Sequence, residues 1–159
     1  MKFVAPLLAA SVLAALPLAA AHAAADPFLG TWRLDKSKSI IGTDPGVKDK
    51  SFVFAPSADG VMITESLEMA SEPGKPHVSH IPYACRRNTP QTGGGFDALL
   101  VTCPDDHTAL WTVQGKGQVQ SQLQVIVSPD GKRMTFRYLW NAADPDGKAF
   151  TDRYVYVKQ

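Results

Sequence analysis

Glu65 is the one carboxylate that strand alternation places on an apolar face. Every second residue from Val61 to Met69 is apolar except Glu65, and successive side chains of a strand point to opposite faces of a sheet. A carboxylate on such a face can orient a polar group of a ligand or move a proton. Two alternatives stay open: a local bulge turns Glu65 outward, or an arginine such as Arg137 or Arg153 pairs with it.

Cys85 and Cys103 are the only cysteines of the chain. The leader described below directs the protein to an oxidising compartment, where disulfides persist, so we predict a bond between the two. The alternatives are two buried free thiols, or one reactive thiolate whose pKa is lowered by Arg86 and Arg87 beside Cys85.

Three histidines lie beyond the leader, but none belongs to a metal-binding pattern. His77 and His80 are three residues apart, so on a strand they point to opposite faces. Asp105 and Asp106 add oxygen donors beside His107, without metal-ligand spacing. No nucleophile-elbow, zinc-protease or phosphate-loop spacing occurs. We therefore predict no metal and no cofactor, and we assign no catalytic residue.

Residues 1–23 have the composition of a secretory signal peptide. Lys2 supplies a positive start, the region from Val4 to Leu18 is apolar, and Ala21-His22-Ala23 fits a small-x-small cleavage site. A membrane anchor is the alternative, although two prolines interrupt an apolar run that is already short for a span. We expect cleavage after Ala23 and a periplasmic or secreted protein.

The predicted mature chain, residues 24–159, is electrically neutral. The 159 residues include 16 Lys and Arg against 15 Asp and Glu, and removal of Lys2 leaves 15 of each. Neutrality offers no electrostatic reason to bind nucleic acid or an anionic membrane, so we predict neither partner and no membrane insertion after cleavage. The length allows one domain, and a hydrophobic content of 45% is typical of a globular one.

Beyond residue 26, turn signals such as Asp-Gly recur at intervals that suit short strands, and no helical period with caps is sustained. The predicted strands cover residues 28–34, 48–55, 61–69, 76–86, 97–103, 107–114, 118–127, 132–141 and 149–157. Residues 36–47 form one long connection. The three glycines at 93–95 are predicted to be a mobile joint in a loop over 87–96.

The apolar faces of these strands can be buried by closing the sheet. Alternation is clearest over 118–127, where one face carries Val119, Ser121, Leu123, Val125 and Val127 and the other carries glutamines. Closure would bury such stripes and remove exposed edges. We predict an all-β chain that forms a single antiparallel up-and-down β-barrel of about eight or nine strands. A two-sheet sandwich is the structural alternative.

The start of the first predicted strand resembles a known family. Gly30–Asp35 reads Gly-Thr-Trp-Arg-Leu-Asp and is followed by Lys36-Ser37, which is similar to the Gly-Thr-Trp-x-Leu-Asn opening of bacterial secreted lipocalin-like proteins. The resemblance implies a small calycin-type barrel around an apolar cavity. Gly30 would allow a close backbone approach, and Trp32 would plug one end of the core.

The resemblance extends over about residues 28–158, with a poor match at 86–106. Ser128–Thr135 looks like a late Ser-x-Asp-Gly-Lys-x-Met-Thr hairpin of the family, and the strand ending at Lys158 resembles its closing strand. In the wider lipocalin group a late arginine packs over the tryptophan, a structural role that the resemblance implies for Arg153. No helix follows the last strand, which departs from typical lipocalins and weakens any transport role taken from them.

The sequence and the resemblance together predict a protein that binds a small, mostly apolar molecule in the barrel cavity. The predicted ligand-binding residues are Phe52, Phe54, Ile63, Glu65, Leu67, Trp111, Leu123, Phe136, Tyr138 and Trp140. One alternative is a cofactor-free isomerase or cyclase that uses Glu65, a tyrosine or a histidine as acid or base in the same cavity. Another is a periplasmic interaction protein, such as a protease inhibitor, that acts through a loop or its N-terminal segment.

Overall fold

The computed structural model describes residues 26–42, 45–85, 87–90, 96–141 and 152–159, with the backbone alone at 87–90 and 140–141. The predicted leader over residues 1–23, its cleavage site after Ala23 and the glycines at 93–95 lie outside the described residues. No helix in the described part of the chain is long and apolar enough to cross a membrane.

The described chain consists almost entirely of strands. They are β1 Gly30–Leu34, β2 Val47–Ser57, β3 Gly60–Met69, β4 His77–Tyr83, β5 Arg87–Pro90, β6 Ala98–Asp105, β7 Thr108–Gly115, β8 Gln118–Val127, β9 Arg133–Asn141 and β10 Arg153–Lys158. A single turn of 3-10 helix, Lys36–Lys38, lies in the predicted connection after β1. The predicted loop over 87–96 is wrong in its first part, because β5 begins there. Four residues that include an arginine and a proline show no apolar alternation from which a strand could be predicted.

All ten strands belong to one antiparallel sheet in the order β4-β3-β2-β1-β10-β9-β8-β7-β6-β5. The sheet curls into a nearly closed up-and-down barrel, as predicted, and a single sheet excludes the two-sheet sandwich. Pairing of β1 with β10 joins the first and last of these strands along the chain. We call the end of the barrel at which β1 begins the Gly30 end, and the opposite end the Leu34 end.

The barrel has a seam between β4 and β5, the two edge strands of the sheet. In the described ranges, no backbone pairing joins these two strands. At the Gly30 end the seam is bridged by the predicted disulfide, whose Cys85 and Cys103 Cα atoms are 5.6 Å apart. The Tyr83 hydroxyl lies 3.7 Å from the Cys103 sulfur and adds a second contact there. The prediction of a Cys85–Cys103 bond is therefore confirmed.

Aromatic rings fill the middle of the barrel. Phe52 stacks on Phe136 with ring centroids 5.0 Å apart, Trp111 meets Phe136 at 5.3 Å, and Tyr83 meets Trp111 at 5.9 Å. These side chains come from β2, β4, β7 and β9, so the rings cross the barrel from wall to wall. Small barrels are generally filled by their inward side chains, and here the filling leaves the two ends as the places for a binding site.

Trp32 closes the Gly30 end of this core. It is fully buried, and its indole N–H donates to the Phe28 carbonyl oxygen at 2.8 Å. The ammonium of Lys158 lies 5.0 Å from the centroid of a Trp32 ring, which is a cation–π distance.

The role expected for Arg153 is therefore wrong, since Lys158 supplies the cation over the tryptophan. Side chains alternate along β10, so Lys158 shares a face with Tyr154 and Tyr156, whereas Arg153 lies on the opposite face. In the backbone register of β10 and β9, Arg153 is opposite Arg137. The Arg153 guanidinium donates to the Lys38 carbonyl oxygen at 3.4 Å.

Candidate functional site

Glu65 lies on the inner face of the barrel and pairs with a lysine. In the register of β2 and β3, Phe52 is opposite Glu65 and Lys50 is opposite Leu67, which makes Lys50 and Glu65 diagonal neighbours on one face. Their Nζ and Oε1 atoms are 2.7 Å apart. The partner is thus neither Arg137 nor Arg153, both of which are exposed.

The ion pair is only partly open to solvent and is surrounded by rings. The side chains of Lys50 and Glu65 are 16% and 19% exposed. The Lys50 ammonium lies 5.4 Å from the Phe52 ring centroid and 5.7 Å from that of Tyr154. Charges in such a setting lose hydration and interact more strongly than on an open surface.

Tyr156 adds a buried hydroxyl to this region. The residue is fully buried, and its hydroxyl has no hydrogen-bond partner among the described residues. Burial raises the pKa of Tyr156 well above its ordinary value, and the negative charge of Glu65 raises it further. The phenol therefore stays neutral at physiological pH and keeps an O–H that can be donated. Most buried polar groups have a partner, so an unpaired one needs an explanation.

We refer to Lys50, Glu65, Tyr138, Tyr154 and Tyr156 as the inner polar group. The rings of Tyr138 and Tyr154 are 5.9 Å apart, and both residues add to the raised pKa of Tyr156. Lys50 is near the start of β2 and Tyr154 near the start of β10, so the group lies towards the Leu34 end. It combines an ammonium, a carboxylate and phenol groups beside a mostly apolar core.

The residues predicted to bind a ligand divide into two sets. Six belong to the packed core: Phe52, Phe54, Ile63, Trp111, Leu123 and Phe136. Glu65, Leu67 and Tyr138 are partly exposed, and two of these belong to the inner polar group. The side chain of Trp140 lies outside what the structure describes. The predicted set thus included two members of the inner polar group together with six residues of the packed core.

Sequence reasoning missed Lys50, Tyr154 and Tyr156. A signal for each was present, because Lys50 stands two residues before Phe52 and the two tyrosines alternate along the closing strand. A lysine at the start of a strand is ordinarily solvated, and nothing in the pattern showed that it faces a carboxylate.

A separate cavity of about 740 Å³ opens at the Gly30 end, and we call it the end cavity. It is formed by the segment before β1, the ends of β4 and β10, and the β6–β7 and β8–β9 turns. Its lining residues are Asp26, Pro27, Phe28, Leu29, Tyr83, Cys85, Cys103, Asp105, Asp106, His107, Pro129, Asp130, Gly131 and Lys158. None of the predicted ligand-binding residues whose side chains are described lines it.

The histidines make local contacts. His77 Nε2 lies 2.9 Å from a Glu72 carboxylate oxygen, and His80 Nδ1 lies 3.2 Å from the Thr64 hydroxyl. Within the described ranges, no group of three or more His, Cys, Asp or Glu side chains is arranged to hold a metal ion.

Comparison of the chain with protein-family models, with curated proteins and with solved structures finds no match in any of the three. The resemblance to lipocalin-like proteins therefore stays a prediction.

Proposed function

We propose that this protein is a lipocalin-like binding protein for a small, mostly apolar molecule, held at the Leu34 end of the barrel with a polar substituent on the inner polar group. The half-buried Lys50–Glu65 pair is the observation that carries the proposal. Desolvating two charges costs about as much as their attraction returns, so such a pair is a weak source of stability. Orienting a ligand is a role that suits it better.

The surroundings of the pair define the ligand. The rings of Phe52 and Tyr154 pack beside Lys50, so the surroundings of the pair suit a ligand with a mostly apolar body. A hydroxyl or carbonyl substituent can accept a hydrogen bond from the Lys50 ammonium, and a hydroxyl can also donate to Glu65. Because rings fill the middle of the barrel, the ligand occupies one end and is small.

We also propose that the protein acts outside the cytoplasm, in the periplasm or after secretion. The composition of residues 1–23 supports export. The Cys85–Cys103 disulfide supports it independently, because disulfides persist in oxidising compartments.

A second candidate function is a cofactor-free isomerase or cyclase at the same place. It is favoured by Tyr156, a neutral phenol close enough to Glu65 for the carboxylate charge to raise its pKa. A carboxylate base beside a phenolic acid is a pair that can move protons on a bound substrate. Turnover of a ligand, rather than binding alone, would separate this function from the first.

Two measurements on exported protein test the binding function. Native mass spectrometry is expected to reveal a co-purified small molecule. Fluorescence titration with N-phenyl-1-naphthylamine, an apolar probe with a single N–H group, is then compared between the wild type and Lys50→Met/Glu65→Gln. We expect the inner variant, which lacks the Glu65 carboxylate that can accept from the probe N–H, to raise the dissociation constant by about tenfold, which corresponds to about 1.4 kcal/mol of weaker binding.

The chain provides a matched control on the outer face of the same two strands. Lys48 and Glu68 form a second ion pair there at 2.8 Å, so Lys48→Met/Glu68→Gln makes the same chemical change away from the interior. This variant is expected to bind like the wild type. The proposal fails if no ligand co-purifies and the inner and outer variants bind the probe equally.

A further inference from the structure

The end cavity has the dimensions and the construction of a ligand site. Its volume of about 740 Å³ lies within the range of small-molecule sites in proteins. Phe28 and Tyr83 form an apolar floor, with ring centroids 6.1 Å apart. Phe28 is held by the bond from the Trp32 indole to its carbonyl oxygen, and the Cys85–Cys103 disulfide fixes one wall covalently. The floor and that wall are therefore formed before any ligand arrives.

The lining charges are mostly negative. Four aspartates, at positions 26, 105, 106 and 130, face one lysine, Lys158, whose ammonium lies over the Trp32 ring. Asp130 has Lys132 and Arg133 beside it, which offset its charge. Among the described residues, no lysine or arginine forms an ion pair with Asp26, Asp105 or Asp106, so the negative charge of the lining is on their side.

We infer that the end cavity binds an organic cation with an apolar body, its charge towards Asp26 and Asp106 and its body against Phe28 and Tyr83. An aromatic floor beneath carboxylates suits an ammonium group with carbon substituents, because rings attract cations through their faces. The inference does not rest on the proposed function, since the inner polar group lies towards the other end of the barrel.

Tyr83 supplies a built-in reporter for such a ligand. Burial raises the pKa of its phenol, and the negative charge of Asp26 raises it further. A cation bound beside Asp26 would oppose the effect of that charge. Ionisation of Tyr83 is therefore expected at lower pH when the site is occupied.

Calorimetric titration with benzyltrimethylammonium tests the inference, with phenylacetate and benzyl alcohol as anionic and neutral probes of similar size. We expect saturable binding of the cation alone. Asp26→Asn/Asp106→Asn should weaken it roughly five- to tenfold, as expected for the loss of two exposed ion pairs. Asparagine at position 26 can still accept the hydrogen bond from the Phe28 amide. Asp97→Asn, at the Leu34 end, makes the same type of charge change and should leave binding unchanged.

An absorbance titration of the wild-type protein at alkaline pH provides a second measurement that needs no aspartate variant. The quaternary ammonium keeps its charge there, and it should shift one tyrosine ionisation to lower pH, a shift that Tyr83→Phe abolishes. Equal binding of the three probes, no saturable binding of the cation, or equal binding by the Asp26→Asn/Asp106→Asn and Asp97→Asn variants would each overturn the inference.

Discussion

The Lys50–Glu65 pair makes a prediction about stability at the level of single residues. Lys50→Met leaves the Glu65 carboxylate half-buried without its cation, which is expected to lower the free energy of unfolding by about 1–3 kcal/mol. Adding Glu65→Gln removes the uncompensated charge and should recover most of that loss. Urea unfolding of the two single variants and the double variant measures the coupling.

The corresponding change on the outer face sets the baseline. Lys48→Met removes an exposed cation from Glu68 and is expected to have only a small effect. If Lys50→Met were as mild as Lys48→Met, the interior position of the first pair would have no energetic consequence.

Two buried tyrosines make stability depend on alkaline pH. Burial raises the pKa of both Tyr83 and Tyr156 above the ordinary value of 10.0. Above pH 10 the unfolded chain releases these protons while the folded chain keeps them. Their contribution to stability is thus complete below pH 10 and is lost as pH rises towards the folded pKa values. Unfolding measured from pH 8 to 11 should show this decline.

Replacing Tyr83 by phenylalanine provides the control for this pH dependence. Tyr83→Phe has no phenol to ionise, so its stability should fall less steeply above pH 10 than that of the wild type. Identical pH profiles for the two proteins would contradict the assignment of a raised pKa to Tyr83.

The two-residue period of a strand predicts which face a side chain lies on, and this sets how much of the site could be predicted. The period places Glu65 on the face of Ile63, and Glu65 is found inside. It says nothing about which residue of the next strand lies diagonally opposite, because that depends on the register between β2 and β3. Register is set by turn geometry and packing together, so Lys50 remained unidentified.

At the level of the strand, Gly30 is the position where a glycine is required. Its φ is +124°, a conformation that side chains rarely adopt, and an added Cβ would lie 2.7 Å from the Lys158 Cε atom. We expect Gly30→Ala to lower the free energy of unfolding by about 1–3 kcal/mol. Gly46→Ala is the comparison, because its Cβ meets only the terminal methyl of Met69, at 3.0 Å. Equal losses in thermal or urea unfolding would show that the backbone at Gly30 carries no special constraint.

Most strands could be predicted because turn residues separate them and apolar residues alternate within them. What the pattern cannot predict lies where regular pairing breaks. Between β8 and β9 the register shifts at Gln122 and Leu123, an irregularity that no two-residue pattern contains. The short β5 is recognisable only by its partner β6. Arg153 was given a role by analogy with other proteins, whereas the alternation along β10 assigns that role to Lys158.

For the whole molecule, the disulfide is expected to contribute through the seam. It closes a loop with a sequence separation of 18 residues, for which the chain-entropy relation gives about 3 kcal/mol. The Cys85→Ala/Cys103→Ala variant should lose about this much in urea unfolding, with the barrel retained in its circular dichroism spectrum. Reduction of the wild type should have the same effect and none on the variant. An unchanged stability would mean that the other seam contacts suffice.

The position of the seam has a consequence for the rate of folding. The first and last described strands, β1 and β10, lie side by side in mid-sheet, with the Gln159 amide donating to the Thr31 carbonyl oxygen at 2.9 Å. These two strands must therefore find each other across a long stretch of intervening chain. A circular permutant that links Gln159 to Asp26 and opens the chain between Ala84 and Cys85 would run from β5 to β10 and then from β1 to β4. Every hydrogen-bonded pair of strands would then be consecutive along the chain, which lowers the contact order. Since folding rates rise as contact order falls, the permutant should refold faster than the parent in stopped-flow experiments with the disulfide intact.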